Sequence, residues 1–150
     1  MNKVCILISL LLSFSLLPGL YSAPKITPAA LAEEPGKALI ETAIADLESA
    51  YESRNPGNMA VQLDKDYEGR LAFQSSLEDF FLSVKELQIH FVIDSSLSQG
   101  DKINVRLHWF KKSVNNSGGF NKSQGSSQFI FKNTQEGLKL LYIRQDNPFY

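Results

Sequence analysis

Between Asp101 and Lys112 the chain reads DKINVRLHWFKK, in which Ile103, Val105, Leu107 and Trp109 alternate with Asn104, Arg106, His108 and Phe110. Successive strand side chains point to opposite faces, so this period predicts a strand with one buried face. The same period runs through Leu87, Ile89, Phe91 and Ile93, set against Gln88, His90, Val92 and Asp94. Small polar residues from Ser95 to Gly100 predict the turn that brings the two strands antiparallel. A third strand is predicted over Ser127–Lys132, with Phe129 and Phe131 on one face and Ile130 on the other. A hairpin turn at Asn133–Gly137 leads to a fourth strand over Leu138–Arg144, with Leu138, Leu140 and Tyr142 opposite Leu141 and Ile143. Ser113–Ser126 holds Asn115, Asn116, Gly118, Gly119 and Gly125 and reads as a long mobile loop.

Upstream of Lys85 the period is helical. Leu39, Ile40, Ala43, Ile44, Leu47, Ala50 and Tyr51 recur at three- and four-residue spacing, which predicts an amphipathic helix from about Pro35 to Arg54. Asn55-Pro56-Gly57 ends it and caps a short second helix carrying Met59, Val61 and Leu63. After a polar crossing at Asp64–Gly69, Leu71, Phe73, Leu77, Phe80, Phe81 and Val84 supply the stripe of a third. Helices followed by strands predict an α+β domain, with three helices packed in the concave face of a curved antiparallel sheet. The concavity offers room for a pocket at one end.

The first residues change the picture of where the domain begins. Lys3 precedes an apolar run of about 14 residues, VCILISLLLSFSLL, too short to span a bilayer comfortably and typical of a signal peptide. Cleavage is expected after Ala32, in the small-residue pattern Ala30-Leu31-Ala32, with Ala23 the alternative. Residues 1–32 are thus read as signal peptide and spacer and 33–150 as one domain, exported to a periplasmic or extracellular space, with no stable membrane anchor after cleavage. Cys5, the only cysteine, would be removed, so packing alone must hold the domain together. Loss of Lys3 and Lys25 takes the formal charge from −1 to about −3, which leaves no electrostatic footprint for nucleic acid. Asn115-Asn116-Ser117 and Asn121-Lys122-Ser123 match the glycosylation acceptor pattern, which matters only in a eukaryotic secretory pathway.

Three stretches together carry a resemblance: LESAYESRNPGNMAVQLDKDYEG from Leu47 to Gly69, the strand ending RLHWFKK, and KLLYIRQDNPF from Lys139 to Phe149. Their order, with a Phe-rich helix and a glycine-bearing loop between them, resembles the nuclear-transport-factor-2-like superfamily, closest to its small SnoaL-like and ketosteroid-isomerase-like bacterial members. The resemblance implies a cone-shaped α+β barrel with a cavity between sheet and helices, frequently dimeric through the outer sheet face. Enzymes of the family place an Asp, His or Tyr inside the cone. Here the inward positions Leu87 to Ile93 and Ile103 to Trp109 are apolar, and no family catalytic residue maps onto them, which weighs against an isomerase or dehydratase.

The candidate residues follow from these faces. Tyr51, Tyr67 and Tyr142 are candidate hydroxyls for a pocket walled by Phe80 and Trp109, since a binding cavity needs a few polar groups among apolar ones. Trp109 serves equally well as plain core. His90, Arg106, His108 and Phe110 share the outer face with Val92, and apolar residues among polar ones there point to a dimer or partner surface. A metal held by His90, His108 and Asp94 lacks support in ligand count and spacing, and two interface histidines are the simpler account. Asp64 and Asp66 form a close carboxylate pair at a bend, for which a solvated loop is the simpler account. Triads, phosphate-binding glycine loops, CxxC pairs and dinucleotide fingerprints are absent, and no cofactor is expected. The readings are a binder of a small, largely apolar ligand in the cone, an interaction module with a filled core, or a cone-pocket lyase or isomerase.

Overall fold

The computed structural model describes residues 35–150, so the export segment and both cleavage sites lie outside the described residues. Three helices, α1 (Pro35–Glu52), α2 (Pro56–Gln62) and α3 (Arg70–Ser83), precede four strands, β1 (Val84–Gln99), β2 (Lys102–Asn115), β3 (Phe120–Thr134) and β4 (Gly137–Gln145). The strands form an antiparallel meander in the order β1-β2-β3-β4, curved and unclosed, against which the helices pack.

Local chemistry explains the helix boundaries. Asn55 accepts a hydrogen bond from the Gly57 amide at 2.9 Å and Pro56 opens α2, as the capping residues predict. Arg54 breaks α1 in the left-handed region at φ 52°, and Gly69 takes φ 71° ahead of α3. Arg70 then donates to the Ala60 and Asp64 carbonyls, satisfying acceptors left over at the end of α2. On α1, Ile40, Ala43, Ile44, Leu47, Ala50 and Tyr51 are buried, whereas Leu39 is half-exposed. On α3 the buried row is Phe73, Leu77 and Phe81, four residues apart, and Leu71 faces solvent because it lies off that row.

The strands are longer than their hydrophobic pattern. β1 continues through Ser95–Gln99, and the turn narrows to Gly100 (φ 64°) and Asp101. Ser113–Asn115 belongs to β2 and Phe120–Ser126 to β3, leaving only residues 116–119 as the turn in what reads as a long loop. Gly125 is a packing glycine and not a loop glycine. It pairs with Trp109, whose indole covers the place a Cβ would take, 2.5 Å from Cζ2.

A register shift between Ile130 and Phe131 changes the face of β4. Phe131 pairs with Leu140 but Ile130 with Tyr142, so Leu141 is the extra residue of a bulge. Ile143 turns inward to the core and Tyr142 outward, beneath the Arg144 guanidinium. Part of each sheet edge is covered by neighbouring chain. Glu48 and Glu52 of α1 accept from the Phe91 and Ile89 amides of β1 at 2.6 and 2.8 Å. On the other edge the Asp64 amide donates to the Leu140 carbonyl at 2.8 Å. Unpaired edges invite other chains to pair, and these contacts close the edges at Ile89, Phe91 and Leu140.

Candidate functional site

The inward row of β2 does not stop at Trp109: it continues to Lys111 and Ser113, both buried. Past β4 the backbone bends at residues 146–150 and crosses the mouth of the concave face as a strap. Buried side chains from three elements grip its carbonyls. Ser127 of β3 donates to the Asp146 carbonyl, Lys111 of β2 to that of Pro148 at 2.8 Å, and Tyr51 of α1 to that of Phe149 at 2.8 Å. The Phe149 amide donates to Asn147 Oδ1 at 3.0 Å, which sets the local turn. Phe149 is thereby fully buried, with ring centroids 5.0 Å from Tyr51, 5.8 Å from Phe73 and 6.0 Å from both Phe91 and Phe129. Such aromatic pairs add to the area term of core packing.

Lys111 is the chemically unusual group here. Its Nζ lies 5.1 Å from the Phe80 ring centroid and 5.9 Å from that of Trp109, and among the described residues it forms no ion pair with a carboxylate. Burial pushes the ammonium's pKa below the ordinary lysine value, and burial pushes the Tyr51 hydroxyl above the ordinary tyrosine value. Among the described residues, Trp109 Nε1 is buried without an acceptor. The mouth therefore holds three buried donors, Tyr51, Lys111 and Ser127, each spent on strap carbonyls, and a fourth, the indole, unspent.

The depressed lysine pKa makes stability depend on pH with a definite sign. Between the folded-state pKa and the ordinary value the unfolded chain binds the extra proton, so stability rises with pH. Chemical melts of Lys111→Met and wild type are expected to show the variant ahead near pH 7 and the gap narrowing towards about pH 9.5, below ordinary tyrosine ionisation. A gap independent of pH would contradict the assignment.

The structure brings Tyr51, Phe80 and Trp109 together. Tyr51 stacks on Phe80 at 6.2 Å, and Lys111 spans Phe80 and Trp109. Tyr67 is buried beside Phe73 at 5.2 Å, on the side of the strap that Tyr150 covers. Burial, and secondarily Tyr150, pushes its hydroxyl pKa up. Tyr142 is outside the cone, on the outer face, because of the bulge at Leu141. Among the described residues, five of the surface concavities take no wall from Tyr51, Phe80 or Trp109. Lys111, Ser127 and Phe149 were not among the sequence candidates. Extending the two-residue period past Trp109 would have found Lys111.

The outer-face candidates share one surface. His90 pairs with Phe110 and Val92 with His108 across β1 and β2, and Arg106 pairs with Gln128, which pairs in turn with Arg144. Phe110 and Val92 are 48% and 43% exposed. His108 Nδ1 contacts the Asp94 carboxylate at 2.8 Å, while His90 Nδ1 lies 3.3 Å from Glu48. The two histidines thus turn to different partners, and among the described residues no group of three His, Cys, Asp or Glu converges on a metal position. Asp64 is buried and not solvated. Its Oδ1 accepts from the Asp66 amide at 2.9 Å, and Lys132 reaches Asp64 at 3.6 Å and Asp66 at 3.0 Å. The Lys132 hydrogen bond holds the Asp66 carboxyl below the usual carboxylate range, so this pair is a braced turn. Among the described residues no helix is long and apolar enough to cross a membrane.

No protein-family model matches the chain, and no curated protein matches it. Solved structures do. A conserved protein from Planctomyces limnophilus superposes with a TM-score of 0.64 at 17% identity, covering 72% of this chain and 92% of that one. A proposed dehydratase of the nuclear-transport-factor-2-like family from Streptomyces avermitilis gives 0.62 at 14%, covering 71% and 92%. A nuclear-transport-factor-2-like superfamily protein from Salmonella enterica gives 0.61 at 11%, covering 75% and 90%. Identities this low speak to architecture alone, and that architecture agrees with the helix and strand order above: the chain has the nuclear-transport-factor-2-like fold.

Proposed function

We propose that this protein is an exported interaction module that assembles as a homodimer through the outer face of its sheet. The observation that carries the reading is an apolar pair set among polar residues on the outer sheet face. The concave face is filled by Tyr51, Phe73, Phe91, Phe129 and Phe149, while Val92 and Phe110 remain exposed among His90, Arg106 and His108. Apolar groups kept at a polar surface have a partner as their simplest use. The apolar run behind Lys3 supplies the export signal.

Light scattering of the secreted chain at about 50 μM is expected to give a dimer, with an intact mass that starts at Glu33. Phe110→Glu is expected to weaken dimerisation about 100-fold with an unchanged circular dichroism spectrum. A wild-type monomer at that concentration would overturn the reading.

A second reading, a small and largely apolar ligand in the cone, is favoured by one observation. Lys111, Tyr51 and Trp109 place polar donors among apolar walls at the mouth, as ligand sites do. It requires Phe149 to leave its place. A proposed dehydratase and a proposed aromatic-ring hydroxylase from Novosphingobium aromaticivorans share the fold, and bring no catalytic residue to this chain.

A further inference from the structure

The strap is held the way a ligand is held. Pro148 and Phe149 are almost without exposed surface, yet their backbone carbonyls are bonded by side chains and not by a neighbouring strand. One donor is a cation. A buried ammonium answered only by a neutral carbonyl and two aromatic faces is poorly compensated, because burial removes its hydration and no carboxylate replaces it. A second donor at the mouth, Trp109 Nε1, has no acceptor among the described residues, an uncommon state for a buried polar atom. Asp146, part of the strap itself, carries a carboxylate whose Oδ2 lies 3.0 Å from the position a Cβ on Gly125 would take. The site is rich in donors and short of negative charge.

The covalent shape of the occupant indicates what would fit better. From the Pro148 carbonyl to the Phe149 carbonyl the strap is an acyl group, an amide nitrogen, a benzyl-bearing carbon and a second carbonyl. Lys111 reads the first oxygen, Tyr51 the second, and the rings of Tyr51, Phe73, Phe91 and Phe129 surround the benzyl group. We propose that the space held by Pro148 and Phe149 is a binding site for an N-acylated aromatic amino acid, free or as the C-terminal unit of a peptide, with the chain's own strap as resident occupant. A free carboxylate in place of the Phe149 carbonyl would accept from the Tyr51 hydroxyl and bring a negative charge into the mouth where Lys111, bonded to the acyl oxygen, has no ion-pair partner. The strap's tethering keeps the site closed until such a molecule competes, and the competitor's affinity is lowered by the strap's occupancy.

This inference rests on the second reading above, that the cone is a ligand site, and is independent of the outer face. Trp109 is the only tryptophan, so its fluorescence reports the mouth directly. The probes are N-acetyl-L-phenylalanine, its neutral amide, the peptide Ala-Pro-Phe, and toluene as a bare apolar group. In Phe149→Ala, checked for folding by circular dichroism, N-acetyl-L-phenylalanine is expected to give a saturable change at least about 10-fold tighter than in wild type. It is also expected to bind about 10-fold tighter than its amide, a preference that Lys111→Met in the same background abolishes. Tighter binding of Ala-Pro-Phe would assign the peptide source, and tighter binding of the acetyl compound the free one. If Phe149→Ala does not fold, Phe149→Leu removes less volume and carries the same test. In wild type, N-acetyl-L-phenylalanine is expected to speed exchange of the Asn147, Phe149 and Tyr150 amides. Equal binding of acid and amide, or no response to either alongside a response to toluene, overturns this ligand class and leaves an apolar cone. No response to any probe in a folded variant overturns the cone site as well.

Discussion

Phe149→Ala is expected to lower the domain's stability by about 3–5 kcal/mol, the range for truncating a buried aromatic. The upper half of that range is the better expectation. The ring is fully buried and touches four others, from α1, α3, β1 and β3, so the layers on both sides of the core lose a shared neighbour. The surroundings have little freedom to close the gap, because the Phe149 carbonyl is fixed by Tyr51 and the one before it by Lys111. Urea melts give the number, with an unchanged slope showing that the native state stays compact. A loss below about 1 kcal/mol would mean that the strap lies over the core and is no part of it.

Gly125→Ala is expected to cost about 2–3 kcal/mol, large for the addition of one methyl group. At most glycines the question is backbone freedom. At Gly125 it is space, since a Cβ would stand 2.5 Å from Trp109 Cζ2 and 2.9 Å from Cε2. The indole cannot yield easily, because β2 fixes its backbone and its ring lies in the buried core. Displacing the ring would also disturb Lys111, so thermal melts of Gly125→Ala should be accompanied by a shifted Trp109 emission maximum. A melting temperature within about 2 °C of wild type would show that the mouth is looser than drawn.

Alternation was legible wherever one face is buried and the other wet. The rows Leu87 to Phe91 and Ile103 to Trp109 are buried as their period indicates, with Ile93 half-buried where the sheet leaves the helices. The same signal fails at Ser95–Gln99, where neither face is covered and polar residues occupy both, so that strand pairing is carried by the backbone alone. It fails differently at Gly125, where a residue type associated with loops serves to admit an indole. Tyr142 was misplaced because a bulge at Leu141 shifts the phase by one residue, and a bulge leaves no mark in a run of apolar residues such as Leu140–Ile143. Of the site, Tyr51, Phe80 and Trp109 were legible as aromatic residues at buried positions. Lys111 was not, because a charged residue following an apolar run reads as the end of the buried row. Nor was Phe149, whose role depends on a turn that no periodicity describes.

Glu48 and Glu52 have a geometric consequence beyond closing an edge. Four residues of helix advance about 6 Å and two residues of strand about 6.6 Å, so one helical turn of glutamates matches two successive outward amides of a strand running the other way. The match works in one alignment only, as slipping α1 by a residue would carry both carboxylates away from Phe91 and Ile89. Together the two contacts act as a ruler that fixes how far α1 slides along β1. They also bear on how copies of the chain meet: with α1 in place the Ile89 and Phe91 amides are closed to strand exchange, and with α1 displaced the same two amides would offer a second molecule a place to begin pairing.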